Sequence, residues 1–376
     1  MSEPLITSIE ALPPILAASV SPAEREYIEE IKRQGQLPFA VTPHFASLAG
    51  AEADDPVRRQ FFPDPREALP DPFALDDPLG ENQHWALPQS QRLVHQYPDR
   101  ALLLASETCS GYCRYCFRRV WLTGQNGASS SRQSKTSFDL QAILDYITSQ
   151  SELKEILVSG GDPLTTCNDT LEKLFSALRK ARPEILIRLC TRAPVTNPTR
   201  LCEKTVALFE KFRPLRIAIH LNHPHELAPL CRERLTACLK AGIPVLVQTV
   251  LLRGINDNAE VLAHLVKECV DLGLSPYYLF QMDIAPGTAH FRVPLERGLA
   301  IYRELEKLTL EGEKRSSRSS TEGSCLRLPV YAVDLPGGGG KIRLCEKAIA
   351  GERTTKNGPV YLLRDGNGKL WEYPKD

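Results

Sequence analysis

Cys109-Ser-Gly-Tyr-Cys113-Arg-Tyr-Cys116-Phe-Arg118-Arg119 sets three cysteines at C-x3-C-x2-C spacing directly behind the apolar run Ala101-Leu-Leu-Leu-Ala105. A short apolar run that stops at a tight polar loop reads as a buried strand presenting ligands at its C-terminal end. Three thiolates from one loop can hold three irons of a four-iron, four-sulfur (4Fe–4S) cube. Fully ligated clusters use four cysteines, so three with no evident fourth leave one iron open to an outside ligand. A zinc site would want four ligands, usually in two paired sets, and no second pair exists. A redox C-x-x-C would leave Cys109 unexplained.

Outward from that loop the chain becomes periodic. Short β-rich apolar runs recur at 101–105, 155–159, 185–190, 215–221, 244–250 and 276–281. Amphipathic patterns between and after them predict helices near 138–149, 169–181, 200–211, 227–241, 257–272 and 295–311. Six β-then-α units with nearly continuous apolar strands imply an α/β fold, a parallel sheet covered by helices, either doubly wound or closed as a barrel. In both, function belongs at the C-terminal ends of the strands. Those ends carry the cysteine loop, Ser159-Gly160-Gly161-Asp162-Pro163, Thr191-Arg192, His220-Leu-Asn222-His223, Gln248 and Gln281-Met-Asp283. Polar groups converging on one rim read as an active site.

The 376 residues suffice for one large domain or two ordinary ones. Lys+Arg and Asp+Glu are both 46, so no global field favours nucleic acid or an anionic membrane. No basic-then-apolar leader and no membrane-length apolar run is evident, which predicts a cytoplasmic protein. Of the eleven cysteines, the eight outside the loop are read as buried small hydrophobes rather than disulfides. Residues 1 to about 20 read as an extended or mobile arm, followed by a helix opening at Ser21-Pro22. Residues 41–92, rich in Pro and Asp, read as a wrap over a preformed body. The Ser-rich stretches 122–137 and 312–324 read as exposed loops. The expected division is 1–92 for arm and wrap, 93–311 for the βα core, and 312–376 for a C-terminal segment with a hairpin over 360–373.

Asp334-Leu-Pro-Gly337-Gly-Gly-Gly340-Lys341 is not a phosphate loop, because Lys341 is followed by Ile342 rather than Ser or Thr and no helix start follows. A lysine on a glycine arm can instead approach a ligand closely and, desolvated, form a Schiff base; a glycine-rich surface turn is the plainer alternative. Asp283 and Asp334 together could bind a cation such as a substrate ammonium, or each could be an ordinary cap or turn residue. Arg118 could meet a carboxylate or phosphate in a bidentate contact.

Taken together, C-S-G-Y-C-R-Y-C-F-R-R, S-G-G-D-P-L, H-L-N-H-P, V-L-L-R-G-I-N-D and D-L-P-G-G-G-G-K resemble, in the same order, the lysine 2,3-aminomutase family of radical S-adenosylmethionine (SAM), pyridoxal-phosphate-dependent enzymes. The resemblance spans about residues 85–350. It implies a partial (β/α)6 barrel and an isomerase that moves the α-amino group of L-lysine to C3. It also implies a 4Fe–4S cluster on Cys109, Cys113 and Cys116, with Lys341 as the pyridoxal phosphate (PLP) lysine and Arg100 as a further contact to that cofactor. Ser159, Gly160, Gly161, Asp162, His220 and Gln248 would contact SAM. Arg118 would take the substrate carboxylate, and Asp283 with Asp334 its distal ammonium, which favours lysine over glutamate; the same chemistry on another amino acid, glutamate or arginine, is the alternative.

The resemblance further implies an external one-electron reductant such as flavodoxin or ferredoxin, and a homo-oligomer. Two departures stand out. The family's structural zinc cysteine is replaced by Asn258, and no cysteine follows Cys345, so no zinc site is expected. Tyr115 stands where a histidine is common. The same chemistry could serve β-lysylation of elongation factor P. A different class, an iron–sulfur electron carrier or sensor, would have no use for Lys341.

Overall fold

The computed structural model describes residues 4–124, 138–316 and 328–375, with backbone alone for 310–316. The six predicted strands are present. They are Arg100–Ser106 (β2), Glu155–Gly160 (β3), Leu186–Thr191 (β4), Leu215–His220 (β5), Val245–Leu251 (β6) and Ser275–Gln281 (β7), after an additional Leu93–Tyr97 (β1). Successive pairs from β2 to β7 are parallel, and β1 adds antiparallel to β2. Helices at 140–149, 168–181, 203–211, 229–240, 259–271 and 295–316 follow the strands. The last runs beyond its expected end, so the part of the 312–324 stretch that is described is helix; residues 125–137 and 317–327 lie outside the described residues.

Val330–Leu335 (β8) extends the parallel order beside β7, and Gly340–Arg343 (β9) returns antiparallel along β8. The sheet therefore runs β1 through β9 in sequence order, a partly parallel and nearly closed barrel. Its two edge strands meet at a seam bridged by side chains. The Tyr97 hydroxyl accepts from Lys341 N at 2.8 Å, and Gln96 Nε2 donates to Gly338 O at 3.0 Å. Ile156, Ile187, Leu189, Ile217, Ile219 and Val245 are buried on the sheet against Phe175, Leu178 and Leu235 of the helices. The hairpin expected over 360–373 is two strands of a separate three-stranded sheet, Ile349–Thr355 (β10), Gly358–Arg364 (β11) and Leu370–Pro374 (β12).

Two expectations about the periphery are corrected. Residues 4–20 are not a loose arm: Ile6, Ile9, Leu12 and Leu16 are buried and Ile6 bridges Val41, because these apolar side chains pack into the main core cluster. Of the scattered cysteines, Cys231, Cys238 and Cys269 are buried, but Cys167 is exposed at a helix start and Cys190, Cys202 and Cys345 are only partly buried; Cys325 lies outside the described residues. The helix Pro22–Arg33 opens with a capping box, Ser21 and Glu24 satisfying each other's backbone N–H. No helix among the described residues is long and apolar enough to cross a membrane.

Candidate active site

One cavity of about 580 Å³ opens at the C-terminal ends of the strands. It is lined by Cys109, Cys113, Cys116, Arg118, Arg100, Ser159, Gly160, Gly161, Asp162, His220, Gln248, Asp283, Asp334 and Lys341, so every site residue expected from the sequence faces it.

The cysteine loop is held from outside the barrel. Glu67, on the wrap, has a fully buried side chain that accepts from Arg114 Nε at 2.8 Å and Nη2 at 2.5 Å and from Arg119 Nη2 at 2.7 Å. The two arginines flank Cys116, so one carboxylate fixes both sides of it. Arg114 also donates to the carbonyls of Leu37 and Pro38. From inside, Arg192 at the end of β4 donates from Nη1 to Cys113 Sγ at 2.7 Å and from Nη2 to Gln60 Oε1 at 2.5 Å and Glu226 Oε2 at 3.0 Å. Tyr115 is buried, its hydroxyl accepting from Asn222 Nδ2 at 2.6 Å and its ring edge-on to Phe291.

Burial pushes the Cys109 thiol well up, with Cys116, Asp162 and Cys113 adding to it; burial followed by Cys113 lifts Cys116 to about 11. Buried thiols raised in this way are drawn to the thiolate form by positive charge close by, and a bound metal ion supplies the most. Among the described residues no three His, Cys, Asp or Glu side chains close on a single metal ion. A cube, each of whose thiolates binds a different iron, requires no such convergence. Three mutually interacting, cavity-facing thiols from one loop fit a 4Fe–4S cluster.

The Ser159–Asp162 turn is dictated by close packing. Gly160, at φ +119°, would place a Cβ 2.2 Å from Ser106 O, and Gly161 would place one 2.3 Å from Thr108 O. Without side chains this turn continues the β2–β3 pairing into the loop, Gly161 N donating to Ser106 O and Asp162 N to Thr108 O, both at 2.7 Å. The Asp162 carboxylate is consumed locally, accepting from Thr191 Oγ1 at 2.6 Å and from the backbone N–H of Leu164, Arg192 and Ala193. It ties the ends of β3 and β4 together, so its carboxylate acts on the scaffold and its neighbours' backbone faces the cavity. His220 and Gln248 are directly opposed in the β5–β6 register. Burial, then Arg192, Arg118 and Lys341, lower His220 to about 4, so it is a neutral imidazole at ordinary pH.

On the far wall, Lys341 does not ride on a free arm. The glycines form the turn of the β8–β9 hairpin, and Lys341 stands opposite Asp334. Its Nζ lies 3.5 Å from Asp334 Oδ2, 4.2 Å from the Phe280 ring and 4.7 Å from that of Tyr278. Asp283 faces the same space, its carboxyl pushed well above the ordinary value by burial and then by Asp334. Arg100 lines the cavity with Arg188 and Arg343, although its own fork is closed on Asp99 at 2.9 and 3.0 Å. An amine over two aromatic rings, in a cavity that arginines also line, fits an aldehyde cofactor bearing a phosphate. Arg118 is bound side-on by Glu81, a residue of the wrap with no motif or periodicity to mark it. Arg192, quoted above only as a strand end, is likewise a central cavity residue.

This fold and this loop define a radical SAM protein. Residues 103–266 match the profile of the Radical SAM superfamily. Among similar proteins, a putative L-lysine 2,3-aminomutase of Treponema pallidum (strain Nichols) is 39% identical over 89% of this chain and 89% of its own. The L-lysine 2,3-aminomutase of Clostridium subterminale is 33% identical over 90% and 75%, and the glutamate 2,3-aminomutase of Clostridioides difficile 32% identical over 97% and 79%. The chain belongs to the lysine 2,3-aminomutase family.

Proposed function

We propose that this chain is a radical SAM, PLP-dependent L-lysine 2,3-aminomutase, an isomerase moving the α-amino group of L-lysine to C3. The observation that carries the reading is the pair Asp283 and Asp334 beside Lys341 in the cavity that also receives the cysteine loop. Cys109, Cys113 and Cys116 would hold the 4Fe–4S cluster. Lys341 would hold PLP, with Arg100 near its phosphate. Ser159, Gly160 and Gly161, with His220 and Gln248, would bind SAM, and Asp162 would hold that turn in place. Arg118 would orient the substrate carboxylate. Asp283 and Asp334 would orient its side-chain ammonium, as two carboxylates suit a cation and oppose a glutamate side chain.

When bound, the cluster with SAM supplies a hydrogen-abstracting carbon radical, and PLP supplies a conjugated carrier for the migrating nitrogen. The protein's part is to hold the substrate at both ends, leave its β-carbon between the two walls and exclude quenching solvent. An external one-electron reductant, a homo-oligomeric state and a cytoplasmic setting belong to the same reading.

The test is anaerobic assay of reconstituted protein with dithionite, SAM and L-lysine, beside L-glutamate and L-arginine. Formation of β-lysine alone is expected. A β-amino acid from glutamate only would move the chain to the other branch of the family, and none from any substrate would refute mutase activity.

A further inference from the structure

Arg118 has a partner that the proposed function does not use. Its Nε donates to Glu81 Oε2 at 3.0 Å and its Nη2 to Glu81 Oε1 at 2.5 Å, and both side chains are 12% exposed. A guanidinium offers two bidentate edges, one through Nε and one through its two terminal nitrogens. Glu81 takes the Nε edge. The remaining edge has only long contacts, Nη1 lying 3.4 Å from Ser159 Oγ and 3.5 Å from Gly160 O. The Phe117 ring lies beneath the guanidinium carbon at 4.6 Å. The plane of Arg118 is thus fixed from two sides while one fork stays available at the cavity.

Glu81 is itself anchored to the opposite wall. It opens the short helical turn Glu81–His84 behind Gly80, whose φ of +64° and close approach to Gly338 leave no room for a side chain: a Cβ there would sit 2.5 Å from the Gly338 backbone. Gly337 N donates to Pro78 O at 2.8 Å, and Gln83 Nε2 to Gly337 O at 3.1 Å. The turn that carries Glu81 is therefore bonded to the hairpin that carries Lys341.

We infer that Glu81 is a positioning residue for amino-acid recognition. It orients Arg118 so that its remaining edge donates to the substrate carboxylate, and it registers that edge against the Lys341 hairpin. This rests on the proposed role of Arg118.

The test compares wild type with Glu81→Gln and Glu81→Asp holoprotein. Equilibrium dialysis of radiolabelled L-lysine is run beside steady-state assay, iron content and the visible absorbance of bound PLP. Loss of a bidentate, charge-assisted pair predicts lysine binding and KM weakened about 10- to 100-fold in Glu81→Gln. Iron and PLP content should be unchanged, kcat changed far less than KM, and Glu81→Asp should restore part of the loss. Unchanged binding would make Glu81 a bystander, and tighter binding would make it a competitor for Arg118. Parallel loss of iron or PLP would make it structural. Each of these overturns the inference. Wild-type protein that binds L-lysine but forms no β-lysine would instead count against the proposed reaction.

Discussion

Asp334 and Lys341 are cross-strand partners, paired in register on β8 and β9 with carboxylate and ammonium 3.5 Å apart. Seven positions apart in the chain, they are brought face to face by the glycine turn. The lysine proposed to hold the cofactor thus arrives with a counter-ion already in place.

Lys341→Ala should abolish the visible absorbance acquired on incubation with PLP and eliminate turnover, with iron content unchanged. Asp334→Asn should keep that absorbance. It should raise KM for L-lysine about 10-fold or more through loss of one charge-assisted contact. Spectrophotometric titration with steady-state assay measures both.

Asp283 couples function to stability. Its carboxyl is pushed well up by burial and by Asp334. Between the ordinary value and the raised one, the folded chain holds a proton that the unfolded chain lacks, so its contribution to stability falls as pH rises through that window. Asp283→Asn should melt higher than wild type at about pH 8 without ligands and similarly at about pH 4. It should bind L-lysine more weakly. Thermal melts across pH, with lysine titrations, read these opposite effects.

Glu67 holds the cysteine loop through Arg114 and Arg119 with no solvent contact. Burial alone would raise its carboxyl, but the two guanidiniums outweigh burial and keep it below the ordinary range. Its contribution is therefore present above the unfolded carboxylate value and lost as pH falls through the lower folded value. Glu67→Ala leaves two buried guanidiniums without their carboxylate and should cost about 3–5 kcal/mol. Denaturant melts measure the loss, and reconstituted iron content should fall with it.

Gly161→Ala tests whether the turn after β3 is packing or mere flexibility. The added methyl would meet the Thr108 carbonyl, a backbone atom next to Cys109 that cannot swing aside. A loss of about 1–3 kcal/mol is expected, as for other small-to-large changes at close-packed sites. It should be accompanied by impaired cluster assembly, measured as iron per chain.

The core was legible because β-then-α periodicity and apolar runs are local signals, and all six strands fell within two residues of expectation. The cavity was legible because chemistry sat at the strand ends. What was missed is long-range. Glu67 and Glu81 sit in a proline-rich wrap without periodicity, and nothing in their neighbourhood announces Arg114 or Arg118 as partners. The hairpin placing Lys341 against Asp334 was read as a free arm, because β9 is short and pairs only once β8 exists. Residues 4–20 were misjudged since isolated apolar side chains, spaced irregularly, gain meaning only against the surface they cover.

Eight of the nine junctions around the barrel are ladders of backbone hydrogen bonds. The ninth, between β9 and β1, is joined among the described residues by the Tyr97 hydroxyl and the Gln96 amide. Such a joint can part without unzipping a single pair of strands, and the lysine stands beside it. The wall of the vessel lacks a backbone ladder at the place where Lys341 enters it.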